Sequence, residues 1–211
     1  MPDAKPHSLD SFFRPRSVAV IGASSTPTKI GGVPVAYFKR LGFKGPIYPV
    51  NPQQNEIQEL KAYPTVSAIG QPVDLAVVAV PAVGVLNALA DAAKAGVKAV
   101  VLFSSGFAEV GEEGAGMQAK LTELSKQSGM RILGPNCLGV MSGASGVYAT
   151  FSPVANTGTA PLGSVGLVSQ SGAFSGTRFW KKDWPPAPLG NRWSSTGRSP
   201  IALITASPTA R

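Results

Sequence analysis

The chain has 211 residues, of which 44% are hydrophobic and 14% charged, which predicts one folded domain and part of a second and excludes a disordered protein. Its single cysteine, Cys137, excludes an internal disulfide. The longest apolar run, 75–90, is interrupted by Pro81 and Asn87, and the first 17 residues lack the apolar segment of a signal peptide. We therefore expect a cytoplasmic protein with no membrane partner. The net charge of +8 suits nucleic-acid binding, but residues 178–211 hold six basic residues and one acidic residue, which is +5 of that total, and we therefore expect no nucleic-acid partner.

The predicted elements alternate between strands and helices from the start of the chain to about residue 133. Leu9, Phe12 and Phe13 in the polar lead-in suit a short helix, and the apolar, β-branched run 17–21 predicts a buried strand. The further predicted strands are 46–50, 74–80, 99–103 and 130–133, and the predicted helices are 32–41, 83–95 and 116–127. Near-continuous apolar strands separated by helices are typical of a Rossmann-like, doubly wound parallel sheet of the α/β class.

The stretch 17–32 joins the first strand to the following helix through a loop of small residues. Gly22 ends the strand, and Ser24, Ser25 and Thr26 come next. Backbone N–H groups and the positive end of the helix dipole meet at such a loop. The stretch therefore predicts a phosphate site, with an ordinary tight turn as the alternative.

Ligands of doubly wound sheets bind beyond the carboxyl ends of the strands. NAD is the obvious candidate, but two features disfavour it. Ser24 and Pro27 stand where the dinucleotide fingerprint has glycines, and Asn51 stands where an acid would bind the ribose hydroxyls. The residues favour a different ligand that contains adenine and phosphates.

Six short motifs follow one another in a recognisable order, and together they carry a family resemblance. They are VAVIGAS at 18–24, VNP at 50–52, VPA at 80–82, FSSGF at 103–107, GPNCLG at 134–139 and VSQSG at 168–172. The series resembles the CoA-binding domain of the NDP-forming acyl-CoA synthetases, which include ADP-forming acetate–CoA ligases and the succinyl-CoA synthetase alpha subunit. The resemblance covers about residues 8–176.

The resemblance implies a binding site for coenzyme A at the strand ends. Loop residues would line the CoA phosphates, and Val80 and Pro81 would form a wall for the adenine or pantetheine portion. The residues implied by the resemblance are Gly22, Ser24, Ser25, Thr26, Asn51, Gln54, Val80, Pro81, Ser104, Ser105, Gly106 and Asn136.

One departure from the family pattern concerns charge. Family members often carry a lysine shortly after the VNP proline, placed for a CoA phosphate, whereas this chain has Gln53 and Gln54 there. Glutamine donates a hydrogen bond but brings no charge, so the affinity for CoA would be lower. Lys29 or Lys39 is the candidate that would compensate.

Two groups of reactive side chains have structural interpretations. Cys137 beside Asn136 could suggest a nucleophile, but that chemistry needs a histidine, and the one histidine, His7, lies far away in the lead-in. A buried thiol in a turn, near the CoA thiol by resemblance, is the favoured interpretation. Three glutamates precede the 116–127 helix: Glu109, Glu112 and Glu113. For them, a solvated, capped start of the helix is favoured over an acid–base role.

The chain is expected to divide into three parts. Residues 8–150 form the CoA-binding domain, and 151–177 form a linker and the truncated start of a second, flavodoxin-like α/β domain. By resemblance, Ser171 and Gly172 would face the phosphate of a phosphohistidine.

Residues 178–211 are the third part, where the composition changes abruptly. This basic tail holds all three tryptophans and the Pro185–Pro186 pair, and it is expected to be disordered or the product of a frame shift. A genuine tail that binds an anionic partner is the alternative. An intact reading frame, checked by the mass of the native protein, would contradict the frame shift.

Three functions follow as hypotheses. The first is the CoA-binding portion of an acetate–CoA ligase, whose ATP or ADP and Mg²⁺ sites lie in an ATP-grasp subunit or domain that this chain lacks; the chain alone is then expected not to turn over. The second is a non-catalytic, CoA-binding regulatory module. The third, an NAD(P)-dependent oxidoreductase, is disfavoured because no acid follows the second strand.

Overall fold

The computed structural model describes residues 9–158, 167–169 and 202–205. Its helices are α1 (Asp10–Phe13), α2 (Val33–Arg40), α3 (Ala82–Lys94) and α4 (Glu112–Ser128). Its strands are β1 (Val18–Ile21), β2 (Ile47–Val50), β3 (Glu56–Ile57), β4 (Leu60–Lys61), β5 (Leu75–Val78), β6 (Ala99–Leu102), β7 (Arg131–Leu133), β8 (Gly139–Ser142), β9 (Val147–Thr150), β10 (Leu167–Ser169) and β11 (Ala202–Thr205). Short 3₁₀ turns cover Ser67–Ile69, Ala108–Val110, Gly143–Ser145 and Pro153–Thr157.

The central sheet has five strands in the order β2-β1-β5-β6-β7, and every neighbouring pair is parallel. Val18 lies opposite both Ile47 and Leu75, so the strands are closely in register. The chain reverses its direction of winding between β1 and β5, which is the switch point of a doubly wound sheet. The predicted Rossmann-like fold is confirmed, and the strand ends come together at one edge.

Alternation along the strands buries both faces of this sheet. Val18 and Val20 point into the core shared with Phe38 of α2, whereas Ala19 and Ile21 point into the core shared with α3 and α4. All four β1 side chains are buried, which explains why the strand reads as a continuous apolar run. The sheet therefore has helices on both faces.

Element boundaries differ most from the prediction at α4, which begins at Glu112 rather than near 116. The first turn of α4 contains Glu112 and Glu113, both exposed, so no apolar periodicity marks it. This turn is the solvated helix start expected for these two glutamates. Glu109 instead lies in the preceding 3₁₀ turn.

Two antiparallel hairpins were not predicted. β3 and β4 pair beside the end of β2, and β8 and β9 form part of a second sheet with the order β10-β11-β8-β9. β10 lies within 151–177, the expected linker and start of a second domain, and β11 lies within the stretch expected to be an atypical tail. His7, Ser171 and Gly172, and the tail apart from β11, lie outside the described residues. Within the described part, no helix has both the length and the apolar character needed to cross a membrane.

Asp74 ties together the amino ends of three neighbouring strands. Its buried carboxylate accepts hydrogen bonds from Arg16 Nε at 3.0 Å and from Lys98 Nζ at 2.7 Å, and also from the Arg16 backbone N–H at 2.9 Å. Burial raises the pKa of Asp74, but these hydrogen bonds outweigh burial and hold the pKa well below its ordinary value. The amino edge is thus fixed electrostatically, opposite the edge where ligands would bind.

Replacing this carboxylate tests its contribution to stability. We expect Asp74→Asn to lower the free energy of unfolding at pH 7 by about 1–3 kcal/mol, since charged hydrogen bonds to a buried acceptor are lost. Because the pKa of Asp74 is lower in the folded protein than in the unfolded chain, its carboxylate stabilises the fold above about pH 4, and this stabilisation is lost as the pH falls below that. Urea unfolding from pH 2 to pH 7 would then show a flatter acid limb for Asp74→Asn. The control is Glu56→Gln, which removes an exposed carboxylate; an equal effect in both variants would contradict the account.

Candidate functional site

The loop from Gly22 to Gly32 folds back on itself at its neck. The Ser24 N–H donates to the Gly31 carbonyl at 3.3 Å. A Cβ on Gly31 would lie 1.9 Å from the Gly22 oxygen, and one on Gly32 would lie 1.9 Å from the Thr26 oxygen. Only glycine fits at both positions, and α2 begins directly after the loop.

Small hydroxyl side chains line the exposed part of this loop. Ser24 Oγ accepts from the Thr26 N–H at 3.1 Å, which holds the turn, and Ser25 Oγ donates to Gln54 Oε1 at 3.1 Å. Thr26 is exposed. The loop is therefore ordered by its own polar groups and carries exposed backbone.

Asn51 braces the end of β2 against the loop. Its Nδ2 donates to the Ala23 carbonyl at 2.8 Å, and its Oδ1 accepts from the Gln53 N–H at 2.9 Å. Both ends of the amide are engaged with backbone. The predicted site residue Asn51 thus joins two strand ends.

A continuous chain of contacts crosses the carboxyl edge of the sheet. Gly22, with φ +80°, packs so closely on Val80 that a Cβ would lie 2.8 Å from its Cγ1. Ser104 Oγ donates to the Val80 carbonyl, and the Asn136 N–H donates to the Ser104 carbonyl at 2.9 Å. Pro81 is the N-cap residue of α3 and is exposed. The predicted residues brought together at this edge are Gly22, Ser24, Ser25, Thr26, Asn51, Gln54, Val80, Pro81, Ser104, Ser105, Gly106 and Asn136.

The backbone N–H of Gly106, a predicted site residue, has a side-chain partner. Its N–H donates to Glu109 Oε1 at 2.6 Å, so this donor already has an anionic partner. Burial raises the pKa of Glu109, but hydrogen bonds from the backbone N–H groups of Gly106, Glu109 and Phe107 outweigh it and lower the pKa. Glu109 is therefore a partner of the loop at 104–106 rather than a purely solvated residue, a role that sequence reasoning missed.

The two lysines considered as compensating charges have different surroundings. Lys39 Nζ lies 2.9 Å from Glu59 Oε2 and also donates to the Gln58 carbonyl, so its charge is paired. Lys29 is exposed within the loop itself. Of the two, Lys29 is the cation that a phosphate on the loop would meet.

Cys137 is a buried structural thiol. Its side chain is 3% exposed, and Sγ lies 3.4 Å from the Leu102 carbonyl and 3.5 Å from the Leu133 carbonyl. Burial raises the pKa of Cys137 to about 12, so the reactive thiolate is absent at neutral pH. The surroundings support the interpretation of this residue as a core thiol in a turn.

A cavity of about 380 Å³ lies between α2 and the segment 151–156. Apolar groups and the side chains of Tyr37 and Arg40 line it, and Tyr37 Oη donates to the Ser152 carbonyl at 3.0 Å. It shares only Pro27 and Thr28 with the loop. None of the predicted site residues lines this cavity.

This geometry is that of a doubly wound α/β protein with a glycine-containing loop at the switch point, which is where proteins of this class bind their ligands. The chain belongs to the CoA-binding domain family, whose profile matches residues 16–143. It is 44% identical over 170 residues to the ADP-forming acetate–CoA ligase II of Archaeoglobus fulgidus. It is 43% identical over 175 residues to the alpha subunit of the ADP-forming acetate–CoA ligase II of Pyrococcus furiosus. The family predicted from the six motifs is confirmed.

Solved structures agree with this assignment. The structure of PH0766 from Pyrococcus horikoshii OT3 is 42% identical and superposes with a TM-score of 0.74, covering 80% of this chain and 37% of that one. The dinucleotide-forming acetyl-coenzyme A synthetase 1 of Ca. Korarchaeum cryptofilum, in complex with phosphate and ADP, is 40% identical with a TM-score of 0.74, covering 80% of this chain and 35% of that one.

The matches cover most of this chain but a smaller part of the relatives. Against the two ligases the matched part is 80% and 82% of this chain, and 24% and 36% of the relatives' lengths. This chain thus spans about a quarter to somewhat over a third of the length of these curated relatives.

The glycine contact at the loop neck predicts opposite effects for two Gly→Ala substitutions. Gly31→Ala should destabilise the protein by about 1–3 kcal/mol or more, because a Cβ collides with backbone that cannot move aside. Gly116→Ala is the matched control, since it lies in the interior of α4 with open space around it and should stabilise by roughly 0.5–1 kcal/mol. Urea unfolding measures both, and equal effects would exclude steric control of the loop.

Burial of Cys137 predicts slow alkylation of the native protein. With its pKa raised to about 12, the thiol should resist iodoacetamide at pH 8 and react only after denaturation. A second cysteine introduced as Thr122→Cys on the exposed face of α4 should react rapidly in the same sample. Mass spectrometry counts the labels; rapid double labelling of the native variant would show that Cys137 is accessible.

Proposed function

We propose that this chain binds coenzyme A along the carboxyl edge of the central sheet, with the pyrophosphate over the loop at residues 24–26. The observation that carries the proposal is the continuous contact chain from Gly22 through Val80 and Ser104 to Asn136. These residues come from separate motifs of the CoA-binding family. Their meeting at one edge supports a shared role.

The chemistry of the loop suits phosphate oxygens. It offers hydroxyl groups, the backbone N–H of Ser25 and the N-terminal end of α2, and small side chains leave the backbone open to a ligand. Lys29 adds one exposed positive charge. The half-buried Val80 and exposed Pro81 offer an apolar wall for the adenine or pantetheine portion.

The side chain of Asn51 argues against NAD at this edge. A dinucleotide site needs an acceptor at the end of the second strand for the ribose hydroxyls. Asn51 Nδ2 and Oδ1 are instead engaged by Ala23 and Gln53. Ribose recognition of the NAD type would require breaking this brace.

The wider role that we propose is the CoA-binding portion of an ADP-forming acid–CoA ligase. Support comes from relatives named acetate–CoA ligase, some of which are alpha subunits. In such an assembly the ATP or ADP and Mg²⁺ would bind to an ATP-grasp subunit or domain, and acetate or another small acid would be the substrate. Thioester formation on adding such a partner, ATP and acetate would support ligase chemistry; CoA binding without it would favour a regulatory module.

A charge placed on the loop tests the location of the site. Thr26→Glu should weaken CoA binding by about tenfold or more, because the added carboxylate repels the phosphates of the ligand. The matched control Thr122→Glu adds the same charge to an exposed position on α4 and should leave the affinity unchanged. Isothermal titration calorimetry with CoA measures both variants.

Titration of the wild-type chain with NAD and ATP completes this experiment. We expect heat of binding with CoA and none with NAD. NAD binding with no response to millimolar CoA would overturn the proposed function. Equal CoA affinity in Thr26→Glu and the wild type would show that the phosphates of CoA do not bind at this loop.

A further inference from the structure

Gln58 holds the neck of the loop from outside. Its Nε2 donates to the Ser24 carbonyl at 3.0 Å and to the Gly32 carbonyl at 2.9 Å. These carbonyls lie near the two ends of the loop, so one side-chain amide bridges it. None of the six family motifs contains Gln58.

The backbone at Gln58 is itself held in place. Gln58 and Glu59 have φ +50° and +66° at the turn between β3 and β4, a left-handed conformation that asparagine and glycine adopt more readily. Lys39 of α2 donates to the Gln58 carbonyl and pairs with the Glu59 carboxylate. The turn is therefore fixed to α2, and the amide of Gln58 is presented to the loop from a fixed support.

The contact with Ser24 also fixes the direction of a neighbouring donor. In a trans peptide the carbonyl and the following N–H point in opposite directions. Because the Ser24 carbonyl is held toward Gln58, the Ser25 N–H is directed away from it. Within the described part of the chain, the Ser25 N–H has no hydrogen-bond acceptor.

We propose that Gln58 is a positioning residue for anion binding, which orients the Ser24–Ser25 peptide so that the Ser25 N–H donates to a phosphate of the ligand. The inference rests on the proposed CoA function and adds a residue to it. Gln58 acts through the loop and does not touch the ligand. Without its amide, the loop would have to be ordered at the moment of binding, and affinity would fall.

Substitution of Gln58 by methionine tests this role in the full 211-residue chain. Gln58→Met keeps the length of the side chain and removes both N–H donors, so the Kd for CoA should rise roughly tenfold, the loss expected from two hydrogen bonds that order the site. The matched control is Gln127→Met on α4, where Gln127 Nε2 donates to Glu123 Oε1 at 2.8 Å on an exposed surface. This control should bind CoA like the wild type.

The Ser25 amide signal in ¹H–¹⁵N NMR spectra separates positioning from general stability. In the wild type, CoA should shift this signal strongly downfield as the N–H gains an acceptor. In Gln58→Met the signal should differ already without ligand, and the CoA-induced shift should shrink at saturating CoA, while signals from α4 stay unchanged. Gln58→Glu has the same size and also lacks the N–H donor at neutral pH, but it adds a negative charge beside the loop, so it should alter the same signal and weaken CoA binding more than Gln58→Met.

The outcomes distinguish this inference from the proposed function. If the wild type binds CoA and both Gln58 variants bind equally well, the positioning role is overturned and the CoA site stands. If weaker binding comes with altered signals throughout the chain, or if both variants lose the fold, Gln58 is a folding residue and the inference is overturned. If the wild type does not bind CoA, the proposed function fails first.

Discussion

The close approach of backbone to backbone at the neck of the 22–32 loop is the constraint on which the site depends. Gly31 and Gly32 lie where any side chain would collide with the carbonyls of Gly22 and Thr26. That contact brings the end of β1 against the start of α2. The ends of the other strands lie beside this loop and extend its surface.

The two edges of the central sheet are held together by different kinds of contact, charged at the amino edge and neutral at the carboxyl edge. At the amino edge, Asp74 pairs with Arg16 and Lys98 and holds three strand ends by charge. At the carboxyl edge, neutral contacts between Gly22, Val80 and Ser104 connect the loops, and the charged groups are few. A polyanionic ligand would therefore meet hydroxyl and amide donors there, with Lys29 as the exposed cation of the loop.

The sequence predicts the elements that have strong local signals. The β-branched run ending at Gly22 and the apolar periodicity of α2 and α3 locate the sheet and the loop, and the strand ends follow from topology. The β3–β4 hairpin escapes prediction because its turn contains Gln58 and Glu59 rather than Asn-Gly. The hydrogen bond between Gly106 and Glu109 and the hydrogen bonds from Gln58 to the loop depend on the tertiary structure, and no periodic pattern in the sequence predicts them.

A crystal structure of this chain grown with coenzyme A tests the central claim most directly. We predict the pyrophosphate over residues 24–26, within hydrogen-bond distance of the Ser25 N–H, with Val80 against the apolar portion of the ligand. Coenzyme A bound in the cavity between α2 and the segment 151–156, or on any surface away from the strand ends, would contradict this prediction.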